Sequence, residues 1–146
     1  YPTIYEARTE PVTFIGLDSA DPKDTEWFAR GVIGKEQLML LDAELAKVSI
    51  ANRKAFVYLH HHPFNRNLGE PLVDSAELMG TLGGRCHVLF FGHKHCAEAW
   101  ESQYGIPHIL ASGKSTWVES DGKLAYRVVT VENGKVDRID MERIDA

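Results

Sequence analysis

The sequence predicts an α/β fold in which parallel strands alternate with helices, followed by a tail of antiparallel strands. Two observations carry this. The short apolar runs 12–17, 55–59 and 86–91 are separated by stretches that read as helices, and such a βαβαβ order joins parallel strands through crossover helices. Beyond Cys96 helical spacing disappears, and Asp121-Gly122 and Asn133-Gly134 punctuate the apolar runs as two-residue hairpin turns.

The elements follow in order. Residues 1–11 have no periodicity and read as a strand or an extended lead-in to the strand 12–17, which ends at Asp18-Ser19. Residues 20–34 open on the turn signal Asp21-Pro22-Lys23-Asp24 and form a loop whose Trp27 and Phe28 are expected to fold down over the core, with lining a pocket as the less favoured alternative. Leu38, Leu41, Leu45 and Val48 recur at helical spacing over 35–48, with Glu36 near the start and Lys47 near the end, as the helix dipole favours. Arg53-Lys54 opens the strand 55–59, and Pro63 stops it from continuing as a central strand. The loop 64–73 carries Asn65, Arg66, Asn67 and Gly69. Arg66 offers guanidinium donors to an anionic substrate group, or serves only as a solvated loop arginine. Asp74 and Glu77 have the form of a capping box for a helix reaching about Leu82. After Gly83-Gly84 comes the strand 86–91, and the tail then reads as strands at 97–102, 107–111, 115–119, 124–132 and 135–143, an antiparallel meander.

Composition bounds the function. With 146 residues, 44% of them hydrophobic and 25% charged, the chain has the size of one globular domain with one core. No internal repeat, linker or low-complexity segment divides it. A net charge of -5, with no basic run, excludes general nucleic-acid binding, which needs a basic surface against phosphates. No stretch approaches the roughly eighteen apolar residues of a membrane helix, and no signal pattern opens the chain, so membrane insertion is not expected. Cys86 and Cys96 make no disulfide framework and read as free thiols in a reducing compartment, which places the protein in the cytoplasm.

The chemistry concentrates at two strand ends. Five of the seven histidines lie in His60-His61-His62-Pro63 and in Gly92-His93-Lys94-His95. Parallel strands present their C-terminal ends along one sheet edge, where α/β sites form, so the two clusters meet there. If the backbone stays extended past Gly92, His93 and His95 face one side about 6 to 7 Å apart at Cα, a spacing that suits two metal ions about 3.5 to 4 Å apart. A zinc site from His93, His95 and Cys96 is the less favoured alternative, since buried cysteines usually act as small hydrophobes. Gly113-Lys114-Ser115 imitates the end of a phosphate-binding loop, but His108 stands where that motif needs glycine.

The segments FIGLDS at 14–19, GKEQLMLLDAEL at 34–45, LHHHPF at 59–64 and FGHKH at 91–95 together resemble the C-terminal half of a calcineurin-like metallophosphoesterase. The resemblance implies half of a four-layer αββα sandwich and a phosphoester hydrolase with two divalent or trivalent ions (Mn, Fe or Zn) bridged by a hydroxide that attacks phosphorus. It implies His61 and His93 as ligands of one ion and His95 as a ligand of the other, with His60 and His62 in supporting or structural roles. The DxH, GDxxD and GNH[DE] motifs of that family's N-terminal half do not occur in these residues. The chain, which opens on Tyr1 without Met, is therefore expected to be a single partial domain, residues 1–146, lacking the N-terminal half and inactive alone. Three histidines without carboxylates suit Zn²⁺ or Ni²⁺ better than Mn²⁺. The expected partners are a phosphoester substrate and either the missing half or further copies of the chain. A non-catalytic metal-binding or interaction module is the alternative reading.

Overall fold

The computed structural model describes residues 1–23, 30–64, 72–111, 113–114 and 124–144. In chain order the elements are β1 (Thr3–Glu6), β2 (Val12–Gly16), α1 (Lys35–Ile50), β3 (Lys54–Leu59), α2 (Ser75–Leu82), β4 (Cys86–Phe91), β5 (Ala99–Gln103), β6 (Ile106–Ala111), β7 (Gly113–Lys114), β8 (Leu124–Glu132) and β9 (Lys135–Ile144). They build a six-stranded sheet in the order β1-β2-β3-β4-β6-β5 and a three-stranded sheet β7-β8-β9. Strands β2, β3, β4 and β6 run parallel, with β1 and β5 antiparallel at the two edges. The expected α/β class and βαβαβ order are present.

Strand alternation divides the core. Ile15, Val57, Leu89 and Ile109 are paired across four neighbouring strands and form one apolar row. That row packs with Leu41, Leu45 and Val48 of α1 and Leu78, Met79 and Leu82 of α2. On the opposite face Phe56, Val88 and Leu110 meet Val129, Val131, Val136 and Ile139 of the second sheet. The described residues therefore stack as helices, sheet, sheet, compatible with a C-terminal portion of the αββα sandwich. Each buried branched or aromatic side chain in these layers contributes about 1.5–3 kcal/mol relative to exposure.

The second sheet is pinned at both ends. The Asn133-Gly134 turn has positive φ at both residues (53° and 74°), as the hairpin dipeptide requires. Its Gly134 amide donates to the Glu10 carboxylate at 2.9 Å. At the other end Arg127 donates through Nε to the Ala111 carbonyl at 3.0 Å and through Nη2 to the Ala97 carbonyl at 2.6 Å, which ties β8 to the segment leaving the second histidine cluster.

The tail departs from a simple meander. Its antiparallel pairs β5/β6, β7/β8 and β8/β9 form, but β6 also joins β4 in parallel, so the tail is divided between two sheets. The reason is burial on both faces: Ile109 contributes to the helix side and Leu110 to the sheet side. Asp74 also differs from its expected role. It stands at the N-cap of α2 without a side-chain cap bond there. Its carboxylate instead accepts from the backbone amides of Ile33, at 3.0 Å, and Gly34, at 2.7 Å, which lead into α1. Tertiary reach has outcompeted the local capping box. Gly113 and Lys114 are in a strand, so the phosphate-loop fragment is indeed coincidental. Readings at Trp27, Phe28, Asn65, Arg66, Asn67 and Gly69, in the strand 115–119 and at Asp121-Gly122 lie outside the described residues.

Candidate metal centre

Strands β3 and β4 are paired in parallel through Leu59 and Phe91. The ladder continues one step further, because the Gly92 amide donates to the His60 carbonyl at 2.9 Å. The two histidine clusters are thereby brought side by side at the C-terminal edge of the sheet. Among the described residues, the ligand atoms of His60, His61 and His93 all lie within 4.8 Å of one another. His93 Nδ1 stands 3.3 Å from His60 Nε2, and the His61 and His93 ring centroids are 4.7 Å apart. Two nitrogens bound at the usual Zn–N length on one tetrahedral ion would be about 3.3–3.4 Å apart, a spacing that the His60 and His93 nitrogens match.

His61 and His93, both expected as ligands, therefore meet. His95 lies outside this three-residue group. The extended backbone that would have aligned His95 with His93 does not form, since both residues have positive φ, 66° at His93 and 47° at His95. The Lys94 amide bonds back to the Gly92 carbonyl at 2.7 Å, closing a γ-turn about His93 in its rarer, positive-φ form. Such a backbone costs on the order of 1–3 kcal/mol and is held by its surroundings, here partly by the His62 ring stacked on His93 at 5.8 Å and 9°. His60, which sequence placed in a supporting role, has instead a nitrogen within the group.

Two further residues shape the site without any signal in the local sequence. Ser19, just past β2, is buried and its Oγ lies 2.8 Å from His61 Nδ1. Gly31 forms an isolated bridge with Ala20 and lies against the same ring: a Cβ there would meet His61 Cγ at 2.5 Å. Only glycine leaves that ring its place.

No family model matches the chain, and no curated protein does. A solved structure of the sulfate thiohydrolase SoxB from Thermus thermophilus, in complex with glycerol, is similar to it with a TM-score of 0.50 and 15% identity. The match covers 98% of this chain and 24% of that one, so the chain spans about a quarter of the SoxB length. At this identity the likeness establishes the fold alone.

Burial keeps the His93 ring free of its second proton. Burial first, then the neighbouring His61, Lys94, His60 and His62, hold the His93 imidazole down at about 4 against 6.5 ordinarily. His93 is neutral at physiological pH, the form that coordinates a metal. The sign for stability follows. An unfolded chain takes up the His93 proton near 6.5 and the folded chain only near 4, so this residue's contribution to stability is full above about 6.5 and is lost as pH falls toward about 4. In the metal-free chain the His93 ring-proton resonance is expected to titrate with a midpoint near 4, and a midpoint near 6.5 would contradict the packing described.

The remaining histidines, His87 and His108, lie apart from this group and line a cavity of about 170 Å³ with Phe56, Pro107 and Lys135. A cavity of about 380 Å³ opens beside the start of α1, among Tyr1, Asp18, Lys35 and Glu36, and none of the three clustered histidines lines it. Cys86 and Cys96 are both free thiols. No described helix is long and apolar enough to cross a membrane.

Proposed function

We propose that the chain is the histidine-bearing part of a metal-dependent phosphoester hydrolase, with His60, His61 and His93 sharing one ion and His95 serving a second. The observation that carries this reading is the convergence of three imidazoles within 4.8 Å at the C-terminal edge of a parallel sheet. The motif resemblance and the fold support it. A zinc-class ion held there supplies Lewis acidity toward a phosphoryl oxygen and acidifies bound water. The chain's own contribution is to hold His93 neutral, to seat the rings by stacking and hydrogen bonding, and to fix their spacing through the β3/β4 ladder. On this reading carboxylate ligands to the metal come from residues outside this group, and the phosphoester binds over it.

The group contains no carboxylate, and this favours the second reading, a metal-binding module without catalysis. Hydrolysis of bis(p-nitrophenyl) phosphate separates the two. The 146-residue chain alone is expected to show no turnover above background, and the parent protein metal-dependent turnover that His93→Ala abolishes. A parent protein that binds metal but never hydrolyses a phosphoester would leave only the module. Turnover by the isolated chain, lost in His93→Ala, would show that these 146 residues suffice for hydrolysis.

A further inference from the structure

One residue outside the histidine clusters is built against them. Ser19 is 2% exposed, and its hydroxyl oxygen makes two contacts with His61: it accepts from the His61 backbone amide at 3.2 Å and lies 2.8 Å from the ring Nδ1. The residues are 42 positions apart, so the pairing is a product of the fold. A ring nitrogen has a single in-plane direction in which to bond, through either its proton or its lone pair. With Nδ1 directed at Ser19, His61 can coordinate only through Nε2. Coordination through Nε2 then requires the proton to sit on Nδ1.

We infer that Ser19 is the positioning residue of the metal centre, its hydroxyl accepting the Nδ1 proton of His61 and so presenting Nε2 as the coordinating nitrogen. A hydroxyl suits this place because it has two acceptor lone pairs and one donor. One lone pair takes the His61 amide and the other takes Nδ1–H, so both ends of the residue are held by one buried atom. Ligating histidines commonly donate their second ring N–H to an oxygen, and loss of such a partner typically costs about 10–100-fold in metal affinity.

This inference rests on the metal reading above, and the experiment separates the two. Zn²⁺ affinity is measured by competition with a chromophoric chelator for the wild-type chain, Ser19→Ala and Ser19→Thr, with thermal melts on each to confirm folding. The expected result is a loss of about 10–100-fold in Ser19→Ala and recovery in Ser19→Thr, which keeps the hydroxyl. Long-range ¹H–¹⁵N correlation of the zinc-loaded wild type supplies a second readout that needs no variant. His61 is expected to carry its proton on Nδ1 and its metal shift on Nε2. A metal shift on Nδ1, or a folded Ser19→Ala that binds zinc like the wild type, overturns the role of Ser19 and leaves the metal site standing. A wild-type chain that binds no zinc overturns the metal reading itself, and Ser19's role with it.

Discussion

Replacing His61 or His93 with alanine is expected to weaken Zn²⁺ binding by about 100-fold or more, since a lost ligand costs more than a lost supporting hydrogen bond. Each supplies one of three nitrogens in the group, and the two that remain make a poor site for any ion. His60→Ala is expected to weaken binding as well. His108→Ala should leave it unchanged: this residue lies on β6, paired with Val88 of β4, and lines a separate cavity. Mn²⁺ is expected to bind the isolated chain more weakly than Zn²⁺, because a set of imidazoles favours zinc over manganese. Competition titrations on the five proteins check this, and an equal loss from His108→Ala would show that the clusters do not act as drawn.

Phe91→Ala is expected to cost about 3–5 kcal/mol of stability. Phe91 is only 1% exposed and ends the strand that carries Gly92 and His93. Its ring stacks with Trp100 at 5.7 Å and meets Phe64 edge-on at 6.1 Å, so truncation opens a cavity where three aromatic rings support the edge that bears the histidines. A shift in Tm on the order of 10 °C or more follows for a chain of this size. Met39→Ala, on the exposed face of α1, is expected to change stability by no more than about 0.5 kcal/mol. Comparable melting points for the two variants would mean that the aromatic block does not carry the site edge.

Much of this architecture is legible in local sequence. Leu41, Leu45 and Val48 place α1 by their spacing and are buried as that spacing requires. The apolar runs of β2, β3 and β4 mark strands, and the alternation with helices makes them parallel. What local pattern does not encode is pairing at a distance. The strand 107–111 was readable, but its insertion beside β4 depends on which surfaces remain to be covered once the sheet forms. Asp74 matches a capping box in sequence, yet the Ile33 and Gly34 amides, some forty positions away, take its carboxylate.

The site divides the same way. The meeting of the two clusters was expected because two strands end in histidines on one edge, and the family resemblance implied His61 and His93 as the ligands among them. The part played by His60 was not legible, because strand alternation ceases to apply once β3 ends at Leu59 and the chain bends. The turn about His93 places a non-glycine residue at positive φ, which histidine tolerates better than most residues but does not by itself signal. Ser19 and Gly31 appear in sequence as ordinary loop residues, and only contact with the His61 ring gives them meaning.

X-ray absorption at the zinc edge of the loaded chain tests the central claim most directly, since it counts and types the ligands of the bound ion. The expected spectrum has about three imidazole nitrogens near 2.0–2.1 Å and no sulfur. A sulfur shell near 2.3 Å would move the ion to Cys96, and zinc lost on desalting would show that the three imidazoles hold no metal at all.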